Sequence, residues 1–208
     1  MPRPTQHTRE RFIEAGIDLV QRRSFDGIGV AEIAKVSGAP KGSFYNHFES
    51  KEDFGVAMIE TFVEEQAKAT CAMYESLDGP PMQRLRAVLD AFRTNFIEDG
   101  FHGCLVGSMT SVCGSSPEQQ RAVSAAFNQF RSVIEGFLLD AQRAGEISAS
   151  ADVHGLSRIF QMMAEGAIVL SKAHGSSEPF NDFISAFWVL ATGAPAPASS
   201  HKRSANTI

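Results

Sequence analysis

Residues 30–54, VAEIAKVSGAPKGSFYNHFESKEDF, constrain the fold more than any other stretch. Val30, Ile33 and Ala34 recur at helical spacing, and Gly38 ends that segment because glycine readily takes the left-handed conformation of a helix exit. Pro40 suits a first helical position, where its missing N–H costs nothing. The next segment, Lys41 to about Phe48, is too short to be a stable helix alone; Phe44 and Phe48, one turn apart, pin it to a core. Its other face gathers Lys41, Ser43, Tyr45, Asn46 and His47, and no carboxylate occurs from Val36 to Phe48. That set suits phosphate oxygens and base edges, and Gly42 leaves room for close approach. Two short helices about a tight turn predict a helix-turn-helix whose second helix enters the major groove. The competing reading is an amphipathic connector with a solvated polar face. Ser50 to Asp53 is spaced as a capping box and opens a third helix, whose first turn carries Lys51 where free N–H groups attract phosphate.

The net charge of −5 argues at first against a nucleic-acid partner. Residues 1–52, however, hold eight Lys/Arg against seven Asp/Glu, whereas residues 53–208 hold eleven against seventeen. The deficit belongs to the second part, so a nearly neutral reading head with an acidic body behind it can still bind DNA locally. Sixteen Phe against two Tyr and one Trp point to apolar interiors and helix seams. No apolar run is long enough to span a membrane, and the N-terminus lacks the apolar core of a signal peptide. Three Cys without an export signal predict reduced thiols in the cytoplasm.

The pattern elsewhere is helical throughout, which predicts an all-α fold. Residues 1–6 read as a mobile start, with Arg3 within reach of a phosphate or the minor groove. A first helix to Arg23 buries Phe12, Ala15, Gly16, Leu19 and Val20. The helix opened by Ser50 runs to about Leu77, long enough to act as a lever between body and head, and 78–81, Asp-Gly-Pro-Pro, stop it. Further helices are expected over Met82 to about Ile97, Cys104 to about Val112, Pro117 to about Ala144, Asp152 to His174, and Glu178 to about Ala191. The last two are apolar over much of their circumference and must be covered on all sides. A second copy across a two-fold axis would supply the cover as a four-helix seam; the alternative is the core of a monomer. The expected division is a helix-turn-helix domain at 1–52, an effector-binding and dimerisation domain at 53–192, and a disordered Ala/Pro/Ser-rich tail at 193–208.

The run SGAPKGSFYNHFESKEDF resembles the signature of the tetracycline-repressor (TetR) family, with Gly38, Gly42, Phe44, Tyr45, His47, Phe48, Lys51 and Glu52 in place. The resemblance implies an operator-binding transcriptional repressor. It implies phosphate contacts from Tyr45, His47 and Lys51, and base readout from Lys41 to Asn46. Pro40 stands where many members have Ser, and Gly29 and Val30 stand where many have Thr, so those hydroxyl contacts are not carried over.

A second motif, His102-Gly103-Cys104-Leu105-Val106-Gly107, resembles the Gly-Cys-Leu-x-Gly element of a TetR branch that responds to electrophiles, and Glu165-Gly166-Ala167 with Ser171-Lys172 is similar to that branch as well. Cys104 at a helix N-terminus is expected to favour thiolate, the form attacked by oxidants and the form that attacks electrophiles, with His102 or Lys172 as helpers. The alternative is a small buried hydrophobe. Cys71 reads as inert; Cys113 is a resolving thiol or a loop residue without a role. A reversible apolar effector would instead use Phe92, Phe96, Phe127, Phe130 and Met163 as pocket walls. A metal effector would use His102, Cys104 and Cys113. Spacing shows no metal cluster and no catalytic dyad, and Gly27-x-Gly29 lacks the rest of a dinucleotide loop, so neither a resident cofactor nor an enzyme is expected. A helical protein-binding adaptor is the remaining class.

Overall fold

The computed structural model describes residues 5–98, 100–101, 103–111 and 116–194. The expectations for Arg3, His102, Cys113 and most of the tail lie outside the described residues. Those residues form nine helices and no strand: α1 (Thr5–Arg22), α2 (Val30–Ser37), α3 (Lys41–Phe44), α4 (Lys51–Ser76), α5 (Pro81–Glu98), α6 (Leu105–Met109), α7 (Pro117–Arg143), α8 (Val153–His174) and α9 (Glu178–Thr192). None is long and apolar enough to cross a membrane.

The head is organised by four phenylalanines drawn from three helices and the turn after α3. The Phe12 ring meets Phe44 edge-on at 5.4 Å and Phe48 at 6.3 Å, while Phe54 lies 5.3 Å from Phe44 and 5.0 Å from Phe48. All four are buried. Such edge-to-face pairs add roughly 0.5–1.5 kcal/mol each beyond area burial, which is how a four-residue helix is held in one orientation. Gly16 lets the Phe54 ring rest directly on α1.

The turn between α2 and α3 has a stated cause. Gly38 has φ +63°, its N–H bonds the Lys35 carbonyl at 3.2 Å, and the Ala39 N–H bonds the Ala34 carbonyl at 3.1 Å. These two bonds satisfy the orphan carbonyls of α2, and the left-handed residue they need is glycine. Arg11 on α1 reinforces the exit by donating to the Ser37 carbonyl.

Two details differ from the sequence reading. Pro40 is the residue before the helix, extended at ψ 136°, and not its first residue. The helix stops at Phe44, and the chain to Phe48 is a turn in which Asn46 N–H donates to the Ser43 carbonyl at 3.2 Å and the Phe44 carbonyl accepts from both His47 N–H at 2.9 Å and Phe48 N–H at 3.1 Å. The chain must be extended again by Ser50, at ψ 176°, which leaves no room for a further turn. Ser50 then caps α4 by accepting the Asp53 N–H at 3.0 Å. Asp53 Oδ2 reaches back to the Glu49 N–H, one residue before the cap.

From Ser50 the long helix α4 carries the head's packing into the body. One continuous apolar core contains α1–α4 residues together with Leu105, Val106 and Met109 of α6 and Ala122, Val123 and Ala126 of α7. A second core joins the far end of α4 to α5, α7, α8 and α9. There Tyr74 stacks on Phe137 at 3.8 Å, and Phe160 of α8 meets Phe183 and Phe187 of α9 at 5.1 and 4.9 Å. The outward sides of α8 and α9 stay apolar: Met162 and Val169 are 65% and 63% exposed, with Leu170, Val189 and Leu190 about half exposed.

Candidate nucleic-acid interface and effector site

The face opposite the phenylalanine cluster is the candidate nucleic-acid interface. Lys41, Gly42, Tyr45 and Asn46 are exposed there, Tyr45 to 58%. The Tyr45 ring packs edge-on against Phe44 at 5.4 Å, so its hydroxyl is carried outward on an anchored ring. A β-carbon at Gly42 would meet nothing within 4 Å, so no protein packing demands glycine there. Open space at that position suits the close approach of a duplex.

Ser43, His47 and Lys51 are placed differently. The Ser43 hydroxyl donates to the Pro40 carbonyl at 2.6 Å, which fixes its direction and leaves its lone pairs for an outside donor. His47 is half-buried, its ring 6.1 Å from Phe12 and 6.3 Å from Phe48. The Lys51 ammonium lies over the Phe25 ring at 4.6 Å, at the start of α4. Its charge is thus held at the helix N-terminus, where a phosphate is favoured. Arg11 was not singled out by sequence pattern, because nothing local marks an Arg on α1 as the partner of a carbonyl 26 residues away.

The second site is the turn that leads into α6. Cys104 caps this five-residue helix, its Sγ accepting the Gly107 N–H at 3.3 Å. The thiolate expected from that position is not what the surroundings favour. Burial first, and then the nearby Glu165 carboxylate, push the Cys104 thiol up to about 12, outweighing the backbone N–H groups that pull it down. A five-residue helix has little field to oppose desolvation. Glu165 is itself raised above the usual carboxylate range by burial, and the hydrogen bond from Cys104 counters that rise. The glycines of the motif gain a physical role here. A β-carbon at Gly107 would lie 2.9 Å from Glu165 Oε2, and one at Gly103 would touch the Lys172 Nζ at 3.5 Å. Glu165 entered the sequence reading only through the resemblance of Glu165-Gly166-Ala167 to the electrophile-responsive branch, because its place beside Cys104 depends on how α6 and α8 meet.

Lys172 and the motif glycines line a cavity of about 390 Å³ that also takes in Val20, Gln21, Arg22, Arg23 and Ser24 at the end of α1. It therefore lies between head and body. A larger open groove of about 690 Å³ runs along α4 and is lined by Glu60, Glu64, Ala67, Lys68, Cys71 and Gln129. The thiol of Cys71 is raised by burial and by Glu75. The five apolar residues named as pocket walls line neither cavity. Phe127 and Phe130 pack on the core beneath the reader, whereas Phe96 and Met163 belong with the body core and Phe92 is 46% exposed, stacked on Phe180 at 5.7 Å. Among the described residues no three His, Cys, Asp or Glu groups are arranged to hold a metal ion.

Comparison with known proteins agrees with this architecture. Residues 12–58 match the family model for bacterial regulatory proteins of the tetR family, and residues 81–187 match the tetracyclin repressor-like C-terminal domain. The transcriptional regulator AcuR of Cereibacter sphaeroides is 32% identical over 182 residues, covering 86% of this chain and 82% of AcuR. The transcriptional repressor NemR of Escherichia coli is 34% identical over 126 residues, covering 59% of this chain and 63% of NemR. Among solved structures, a TetR regulatory protein from Rhodobacter sphaeroides superposes with a TM-score of 0.79 at 30% identity, covering 86% of this chain and 96% of that one. The reduced form of E. coli NemR superposes with a TM-score of 0.77 at 25% identity, covering 91% and 100%. With its helix-turn-helix head and a C-terminal domain match that spans half its length, this chain belongs to the TetR family of bacterial regulatory proteins.

Proposed function

We propose that the chain is a homodimeric, cytoplasmic repressor that binds an inverted-repeat operator and is released when an electrophile or oxidant modifies Cys104. The division of labour follows the boundary near residue 52, with reading before it and sensing and assembly after it. The observation that carries the DNA-binding half is the carboxylate-free face of Lys41, Gly42, Tyr45 and Asn46 on a helix fixed by buried aromatics. Tyr45, His47 and Lys51 position the head on phosphates, while Lys41, Ser43 and Asn46 meet base edges. The sensing half rests on Cys104 at the head–body joint, on the neighbouring Lys172, and on similarity to NemR, a repressor whose reduced form has been crystallised.

The test is operator selection from random duplexes, followed by retardation of the selected duplex with and without N-ethylmaleimide. Release of the parent but not of Cys104→Ser is the expected result; release of both equally removes the thiol from the mechanism. One observation favours a second reading, a reversible effector. The raised Cys104 thiol is mostly protonated at neutral pH, whereas the cavity beside it carries Arg22, Arg23 and Lys172 at the joint. Operator release by a reversible ligand with the thiol unmodified by mass would select that reading.

A further inference from the structure

Glu165 is the one group at the α6 turn without a part in either reading. It stands on α8 among Met163, Ala164, Ala167 and Ile168. Its Oε2 and the Cys104 Sγ flank the same point above Gly107, at 2.9 and 3.8 Å from where a β-carbon there would be. Glu165 forms no ion pair among the described residues, and Cys104 is the titratable group that acts on it. Lys172, two turns further along α8, has its ammonium against Gly103 instead. The half-buried Glu165 carboxyl and the Cys104 thiol therefore face the same point of the turn, and the thiol is the titratable group beside the carboxyl. On the other side of the turn, Leu105, Val106 and Met109 are buried in the same core as the α1 residues of the reader.

We propose that Glu165 converts chemistry at Cys104 into movement of α6 against α8. While the thiol is intact, its hydrogen satisfies the carboxylate. Once the sulfur is alkylated that hydrogen is gone, and a half-buried acceptor without a donor must take up a proton or turn to water. Either course moves the Gly103–Gly107 turn, and through α6 the shift reaches α1. The inference rests on the reading that Cys104 is the sensing thiol and adds how its modification is felt. For a maleimide the chemistry balances without solvent protons: the S–C bond forms at one alkene carbon, and the sulfur's proton ends on the other. Any net change in bound protons on alkylation thus reports a group other than the thiol.

The experiment uses the full chain with Cys71→Ser and Cys113→Ser, so that Cys104 is the one thiol left. Complete alkylation by N-ethylmaleimide is verified by mass, and operator affinity is measured before and after. Alkylation is expected to weaken binding at least tenfold, within the range of ordinary allosteric coupling, and Glu165→Gln in the same background is expected to stay bound within about threefold after equally complete alkylation. If alkylated Glu165→Gln lets go as the parent does, Glu165 is not the transducer. If the alkylated parent stays bound, the sensing reading falls and takes this inference with it. A pH-stat measurement on the parent needs no Glu165 variant. Alkylation is expected to change the bound-proton count between about pH 5 and 8, by uptake if the carboxyl stays enclosed and by release if it turns to water. An unchanged count overturns the proposal.

Discussion

At the scale of single residues, what matters is which polar groups the fold leaves with open valences and which it has already committed. Tyr45 and Asn46 are exposed on an anchored turn, so substitution there removes outside contacts and little else. Tyr45→Phe is expected to weaken all duplexes alike, and Asn46→Ala to change the ranking of operator variants by about 1–3 kcal/mol at the affected base pair. Competition binding against a set of single-site operator variants distinguishes the two; a uniform loss for both would erase the division between positioning and readout. Arg11 belongs to the other kind, since its guanidinium is spent on the Ser37 carbonyl. Cys104 shows the same distinction in its titration. Because burial and Glu165 raise the thiol to about 12, the thiolate fraction keeps growing tenfold per pH unit well beyond the point where an exposed cysteine levels off. The alkylation rate of Cys104 is therefore expected to climb log-linearly from about pH 7 to pH 10. A plateau near pH 9 would show an ordinary, exposed thiol. The motif that marks Cys104 was visible in the sequence, but the sign of its shift was not. That sign depends first on burial of the thiol against both apolar cores and then on Glu165 of α8, some sixty residues away.

At the scale of elements, the local rules account for most of what formed. Gly38 as a left-handed exit, Ser50 as a cap with Asp53, and Asp152 accepting the Gly155 N–H at 2.9 Å are short-range chemistry, legible from residue type and spacing. The reading helix ends earlier than its pattern predicts because Phe44 and Phe48 lie one turn apart whether the intervening backbone is fully α-helical or an irregular turn. Periodicity cannot separate those cases, whereas the extended Ser50 that follows can. Ser50→Ala tests how much the α4 start depends on its cap. Loss of the bond to the Asp53 N–H is expected to cost about 1 kcal/mol in urea unfolding. Because α4 opens directly behind the reading turn, operator affinity is expected to fall more than that of an equally destabilised variant at a distant cap such as Asp152→Ala, at the start of α8. Equal losses in the two variants would mean that the α4 start has no special bearing on the reader.

At the scale of the whole molecule, the two apolar cores explain why the head is not an independent bead on a string. The first core joins α1–α4 to α6 and the start of α7, so the Cys104 turn is continuous with the reader through packed side chains. Nothing in the sequence places α6 against α1, because that contact joins segments roughly ninety residues apart and leaves no periodic trace. The exposed apolar face was more legible, since helices apolar over much of their circumference call for two covers. The fold supplies one cover by pairing α8 with α9, and leaves Met162, Val169, Leu170, Val189 and Leu190 on the outside. Met162 and Val169 are two turns apart on one helix and so present one stripe, as a helix packed on its symmetry mate requires. Val169→Glu would bring a carboxylate into that seam, and near a two-fold axis its own copy would face it, so desolvation and like-charge repulsion act together. Because the residue is largely exposed in the single chain, the variant is expected to fold with unchanged helix content. In analytical ultracentrifugation it is expected to sediment as a monomer where the parent sediments as a dimer. Its affinity for a two-half-site operator is expected to fall steeply, while binding to an isolated half-site stays as weak as that of the parent. A Val169→Glu protein that remains dimeric and keeps full operator affinity would move the seam off α8, and the exposed stripe would need another cover.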